Sequence, residues 1–289
     1  MRAFAITILI GLIVTAGNTW AAEVLVLQSL RVRPFDDAVR GFRSAAGADT
    51  RTVVLSEAEG TDVLKLVREE RPEVILAIGA DALQRVRRIR DIPVIYLMVL
   101  NPERITGEAG NFTGIDLNIP PEKYLSLMGR LNIPRLKVGL FYDPSKSGAF
   151  VRRIRRAAAP MGIEIAAREV RSPREVPEEL KRMDASCNVF WMLPDSTVVT
   201  PETVEIILLF TMQNRIPVVA FAGKYVDGGA LFSLDIDGFD LGKQAGEMAA
   251  RLLSGTDVSQ LRERDARKAV MKVNRKVATK LGIDLSGLE

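Results

Sequence analysis

The chain has no histidine and a single cysteine, Cys187. Without histidine there is no Ser-His-Asp or Cys-His arrangement, and no His-based zinc site. One thiol cannot close an internal disulfide. The GxGxxG fingerprint of dinucleotide sites is missing, and so is the GxxxxGK[ST] phosphate loop. DIDGFD (Asp235 to Asp240) carries three carboxylates and a glycine, but lacks the length and terminal glutamate of a calcium loop. It reads instead as a strand running into a helix N-terminus, with Asp240 favouring the dipole. Aromatics make up only 6% of the chain, and none interleave with the basic runs RVRRIR (Arg85 to Arg90) and RRIRR (Arg152 to Arg156). Those runs read as solvated helix faces, and no nucleic-acid partner is expected. No nucleophile–base pair stands out, so no enzymatic role is expected.

What is present is a globular composition. The chain has 289 residues, 47% hydrophobic and 26% charged, enough for two ordinary domains. It opens in the form of an export signal. Arg2 is a short positive region, AFAITILIGLIVTAG is the apolar stretch, and Thr19 and Ala21 are small residues placed for a cut after Ala21. The apolar stretch is shorter than the roughly 20 residues of a spanning helix. No cysteine follows it for lipid attachment. Removing residues 1–21 takes away Arg2, so the formal charge falls from +4 to 4 − 1 = +3.

From Glu23 onwards strands and helices alternate. EVLVLQS, TRTVVLSE, EVILAIG and PVIYLMV read as strands, three of them apolar enough to be buried on both faces. Helices are expected at 36–46, 62–70 and 81–88. A stretch rich in Pro, Gly and Asn, residues 101–118 with GNFTG, breaks the pattern. It then restarts with helices at 121–131, 147–161, 173–182 and 201–213. The intervening strands are KVGLFYD, IEIAAREV, VFWMLPD and PVVAFAG. Strand–helix alternation implies parallel sheets, and the restart implies two Rossmann-like α/β lobes with a cleft between them. The expected division is residues 22–116 with 235–265 for one lobe, and 117–234 with 266–289 for the other. A helix lined by Gly242, Ala245, Gly246, Ala249 and Ala250 has the small side chains that let it lie close to a sheet. The tail reads as a strand and a short helix ended by Gly282.

Parallel sheets hold ligands beyond the carboxyl ends of their strands. In the first lobe those positions are Ser29, then Gly79, Ala80 and Asp81, with Gly79 allowing close approach to the backbone. In the second lobe they are Tyr142, Ser145 and Ser147, then Asp195, Ser196 and Thr197, then Lys224. Helix starts at Asp81, Ser147 and Thr200 offer N–H groups to an anion. The same residues also suit caps and turns. Asp195 has two readings: a partner for an ammonium group at the end of a very apolar strand, or a turn aspartate capping the next segment. Phe221 and Tyr225 could stack on an aromatic ligand or belong to the core.

Several stretches carry a resemblance. They are GNFTGI, KVGLFYDPSKSG, MLPDSTVVTPET, PVVAFAGKYVDGGALFSLDIDGFDLGKQAGEMA and VNRKVATKLGI, in this order and spacing. Together they resemble the substrate-binding proteins of ABC importers that include tryptophan- and tyrosine-type binders, with a type I periplasmic-binding-protein fold. The resemblance implies two lobes joined by three crossings, a small-molecule ligand in the cleft, permease subunits as membrane partners, a monomer, no cofactor and a periplasmic location. It places Asp195, Ser196 and Thr197 at a polar triplet facing the cleft, and Tyr142, Ser145 and Ser147 on a second-lobe turn. Ala222, Gly223 and Lys224 match a loop of the same lobe. The first lobe departs from the family pattern. Gly79-Ala80-Asp81 stands where a Gly-Thr-Pro-like turn is usual, LMVLNPE (Leu97 to Glu103) where a small Asp-containing loop is usual, and Asp116-Leu117 where a Ser-Asp pair is usual. These changes remove hydroxyls and add apolar residues, so the ligand is left open. A small zwitterionic or carboxylate-bearing solute is expected, with Asp195 taking an ammonium and Ser29, Ser145 and Ser147 serving an anion. A sensory binding protein with a signalling partner is the alternative role.

Overall fold

The computed structural model describes residues 22–58, 60–183 and 186–288. The export segment lies outside the described residues. The first β/α set consists of β1 (Val24–Gln28), α1 (Arg33–Ala46), β2 (Thr50–Val54), α2 (Val63–Glu70), β3 (Val74–Ile78), α3 (Ala80–Val86), β4 (Val94–Leu97), α4 (Glu103–Thr106) and β5 (Phe112–Asp116). The second consists of α5 (Pro121–Gly129), β6 (Lys137–Tyr142), α6 (Pro144–Ala158), β7 (Glu164–Glu169), α7 (Val176–Met183), β8 (Val189–Trp191), α8 (Pro201–Gln213), β9 (Val218–Ala220), α9 (Gly223–Asp227) and β10 (Phe232–Ile236). The chain ends with α10 (Gly238–Leu253), β11 (Arg264–Asp265), β12 (Ala269–Val273) and α11 (Arg275–Leu281).

The strands form two sheets of six, ordered β11-β5-β4-β3-β1-β2 and β12-β10-β9-β8-β6-β7. Every pairing is parallel except the antiparallel β10–β12 edge. Alternation along β1 explains why the sheet needs cover on both sides. Val24 and Val26 pack with Val39 and Phe42 of α1, whereas Leu25 and Leu27 pack with Val67 and Leu83 of α2 and α3. The second sheet repeats this: Val138 and Leu140 meet Leu125 and Ile154, and Phe141 and Phe190 meet Leu180 and Ile207. The chain passes between the sheets after β5, after β10 and after β11. β10 stays in the second sheet through Ile236, so the division expected before residue 235 cuts this strand.

Local chemistry moves several element ends from their expected places. α1 starts at Arg33, earlier than expected, with Pro34 in its first turn where a missing N–H costs nothing. α6 starts at Pro144, because Asp143 caps it by accepting from Ser145 N at 2.9 Å. β8 ends at Trp191, although Met192 and Leu193 remain buried; their apolar character reflects burial and not ladder pairing. GNFTG is not a break but the start of β5, and a side chain at Gly114 would overlap the Tyr96 ring. The small-residue helix α10 finds its closest neighbour in a helix, α1: a Cβ on Gly242 would overlap the carbonyl oxygen of Ala38. Gly282 ends α11 in the left-handed region at φ 71°.

Candidate functional site

The cleft region holds two adjoining chambers. The first, about 260 Å³, is mainly apolar and is walled by Trp191 from the end of β8 and Tyr124 from α5, with Phe150 from α6. Phe221 follows β9, Leu234 and Ile236 lie on β10, and Leu117 and Ile119 lie on the segment leaving the first sheet. Leu100, which follows β4, supplies the first sheet's wall and is 46% exposed. The aromatic floor is ordered. The Tyr124 and Trp191 rings sit 4.7 Å apart and tilted, and Phe150 meets Trp191 edge-on at 6.2 Å. Tyr124 Oη donates to the Leu234 carbonyl at 3.2 Å, and burial pushes the phenol pKa up. Asn118 and Asp235 are the polar side chains in this wall. Asp235 accepts from Ser233 Oγ at 2.7 Å and from Gly223 N at 2.8 Å.

The second chamber, about 200 Å³, is polar and shares Leu100, Asn118, Phe150 and Pro194 with the first. Glu103, Asp116 and Glu263 line it, together with Lys146, Ser147 and Arg153. Arg153 on α6 reaches across to the other sheet. It donates to Asp265 of β11 at 2.5 Å and lies 3.7 Å from Asp116 at the end of β5. Burial, and then Asp265, push the Asp116 carboxyl above its usual range against the hydrogen bonds from Asn118. Burial and the charge of Asp116 do the same to Glu263. Tyr96 is pushed up by burial and by Glu263.

This pairing makes Arg153 the charged link between the two sheets. Replacing it with alanine leaves Asp116 and Asp265 facing each other. We expect Arg153→Ala to destabilise the fold by about 1–2 kcal/mol, discounted for its partial exposure. A double-mutant cycle with Asp265→Asn, followed by urea unfolding, should show a coupling of about 1 kcal/mol. Additive losses would mean the pair contributes nothing.

The residues expected from strand ends are distributed differently from the chambers. Phe221 lines the apolar chamber and Ser147 the polar one. The Asp195 carboxylate is 1% exposed and accepts from Asp143 N at 2.8 Å, Thr197 N at 2.9 Å and Val198 N at 3.3 Å. That is the turn role of its two readings. Asp143 accepts from Ser145 Oγ and Thr197 Oγ1, both at 2.7 Å. Burial pushes the Asp143 carboxyl up, but these hydrogen bonds outweigh it and hold the group below its usual range. Ser196 accepts from Lys146 Nζ at 2.9 Å, and Tyr142 donates to Glu169 at 3.3 Å. Lys224 is exposed over the Tyr225 ring, and Tyr225 is buried in the core. In the first lobe, Ser29 Oγ accepts from Ala82 N at 2.9 Å, Asp81 pairs with Arg85, and Ala80 opens α3. Gly79 has φ 91°, and a Cβ there would meet Ser29 Oγ at 2.6 Å and the Phe35 ring at 2.9 Å. The space at Gly79 is thus filled by neighbouring side chains.

The N–H groups expected to be open at helix starts are partly engaged as well. Asp143 takes Ser145 N, and Thr200 and Thr203 form a reciprocal capping box on α8. Trp191, Tyr124 and Phe150 are not among the residues expected from the sequence, whereas Leu100 lies in the apolar LMVLNPE loop singled out there. The apolar run VFWMLPD continues four residues past Trp191 to Asp195, so the sequence points to a strand end beyond the residue where β8 stops. Phe150 and Arg153 lie three apart on α6 and share a face, a spacing legible in the sequence.

Two doubly covered parallel sheets, joined by three passages and meeting at an apolar chamber, define the type I periplasmic-binding-protein architecture. The model of the family described as ABC transporter substrate binding protein matches residues 46–287, and the chain belongs to this family. A curated tyrosine-binding protein of Clostridioides difficile (strain R20291) is 24% identical over 201 residues, covering 66% of this chain. The match spans 58% of that relative's length. Among solved structures, a ligand-free, open substrate-binding protein with adhesive properties from Clostridium difficile is similar, with a TM-score of 0.71 at 21% identity. It is matched over 91% of this chain and 95% of its own. An ABC domain in complex with L-Trp from Streptococcus pneumonia has a TM-score of 0.61 at 21% identity, with the same coverage of 91% and 95%. Among the described residues no helix is long and apolar enough to cross a membrane.

Proposed function

We propose that this chain is the exported receptor of an ABC importer, which closes its two lobes over a small solute and presents it to permease subunits in the membrane. The observation that carries the reading is the apolar chamber at the strand ends, walled by Trp191, Tyr124 and Phe150 on one side and by Leu100 on the other. A largely apolar pocket with a few polar groups is the usual form of a small-molecule site. The tyrosine- and tryptophan-binding relatives support a solute of amino-acid size. The apolar, Arg2-led sequence of residues 1–21, read as an export signal, supports export to the periplasm. The lobes that close are the two β/α sets, with residues 117–119, 237 and 266–268 as the flexing connections. Of the strand-end residues, Phe221 and Ser147 contact the solute. Asp195, Thr197 and Ser145 act one step back, holding the loops that carry the site.

Mass spectrometry of small molecules released from the purified protein tests this directly. A single enriched solute that raises the melting temperature when added back is the expected result. No released solute, and no thermal shift across amino acids and their amine and acid analogues, would overturn the reading.

A further inference from the structure

We propose that the ligand is an organic cation without a carboxylate: an amine on an aromatic-sized apolar body, the body in the apolar chamber and the ammonium beside Asp116 and Glu263 in the polar one. This rests on the cleft being the ligand site and names the class of solute it takes. The cavity itself supplies the first argument. Its two chambers adjoin and share Leu100, Asn118, Phe150 and Pro194, so a body seated in the first lies against the second. An apolar body matches the aromatic floor. The charge of that part is set by its one acidic wall residue, Asp235, a carboxylate already held by Ser233 and Gly223, and the Tyr124 phenol beside it stays neutral. It offers no cation to a ligand carboxylate.

The polar chamber has the opposite sign from the one an acid needs. Glu103, Asp116 and Glu263 face Lys146 and Arg153 there, and Asp265 adjoins as Arg153's closer partner. Four carboxylates against two cations leave 2 − 4 = −2. Arg153 is engaged by two aspartates, and Lys146 is hydrogen-bonded to Ser196. The start of α6, which brings Lys146 and Ser147 to this chamber, is capped by Asp143. Desolvation and then Asp265 raise the Asp116 carboxyl, and desolvation and then Asp116 raise that of Glu263, so an arriving cation offsets a repulsion that an anion would increase. Among the described residues no group of three His, Cys, Asp or Glu side chains is placed to hold a metal ion.

A matched set of probes separates the outcomes: tryptamine, L-tryptophan and indole-3-propionate, titrated calorimetrically into the ligand-free protein. Tryptamine should bind at least about 10-fold more tightly than L-tryptophan, because the added carboxylate meets like charge, and indole-3-propionate should not bind. Glu263→Gln should weaken tryptamine by about 10-fold. Asp116→Asn should do the same, but it also touches the Arg153 pair, so Glu263→Gln is the cleaner variant. Equal or tighter binding of L-tryptophan or indole-3-propionate would overturn the proposal and leave the cleft reading standing. Unchanged tryptamine affinity in folded Glu263→Gln and Asp116→Asn would overturn the assigned contacts. If none of the three binds, the proposal falls; the cleft reading falls with it only if no solute is released from the protein either.

Discussion

Gly242→Ala and Gly41→Ala should each cost the fold about 3 kcal/mol or more, the largest loss expected from adding a methyl group to any glycine among the described residues. A Cβ on Gly242 would overlap the Ala38 carbonyl oxygen, and one on Gly41 would overlap that of Phe239. Both obstacles are backbone, on helices that are pinned elsewhere. α1 is anchored by Ala38, Val39 and Phe42, and α10 by Leu241, Ala245 and Met248, all in one core cluster with β1 and β3. Neither helix can retreat without opening that core, so the strain is not relieved by a rotamer change. Gly148→Ala in α6 is the control. Its Cβ would meet only Arg152 Nη1, at 3.7 Å, so the gain in helix propensity should stabilise by about 0.5–1 kcal/mol. Urea unfolding of the three variants checks the contrast. A Gly242→Ala protein within about 1 kcal/mol of the parent would mean that α1 and α10 are not locked together.

This contact also shows where the sequence was legible. The run Gly242, Ala245, Gly246, Ala249 could be read as a close-packing face, because small residues at helical spacing have few other uses. What it packs against could not be read, since α1 lies about two hundred residues earlier in the chain. The cover on both sheet faces was legible for a similar reason: runs such as EVILAIG lack a polar face, and a doubly covered parallel strand accommodates that. The site was less legible. A rule that points to strand ends is only as good as the ends, and β8 was extended past Trp191 by residues that are apolar because they are buried. Polar residues after strands suit ligand contacts, caps and turns alike, and several of them bond one another here. Asp143, Asp195, Ser145 and Thr197 satisfy a network whose two halves lie about fifty residues apart. Such reciprocity exists only once β6 and β8 are side by side. The chamber walls escaped notice because Tyr124, Phe150 and Trp191 look like any other core aromatics until an empty space is seen beside them.

Asp195→Ala should destabilise the ligand-free protein by about 3–5 kcal/mol. The carboxylate is 1% exposed, and its two oxygens take the N–H groups of Asp143, Thr197 and Val198. Alanine leaves Asp143 N and Thr197 N without their acceptor in a region closed to water, while Val198 N keeps the Asp195 carbonyl at 3.1 Å; a hydrogen bond to a charged group contributes about 1.5–3 kcal/mol. Losses within one network do not add fully, which keeps the total below the sum. Asp195→Asn keeps one acceptor oxygen but turns an NH₂ towards a donor, so it should lose about half as much. The partner carboxylate gives an independent signature in acid. The Asp143 pKa is held below its ordinary value, so its contribution is present above the unfolded pKa of about 3.9 and is lost as pH falls through the lower folded value. In Thr197→Val, which removes one of the hydrogen bonds that hold Asp143 low, that loss should begin at higher pH. A residue that served only the ligand would behave otherwise: Asp195→Ala would then bind weakly yet unfold like the parent. Urea unfolding without ligand tells the two apart. If the variant is as stable as the parent, the carboxylate belongs to the solute; if it is 3–5 kcal/mol weaker, any loss of affinity is inherited from loops that β6 and β8 no longer hold in register.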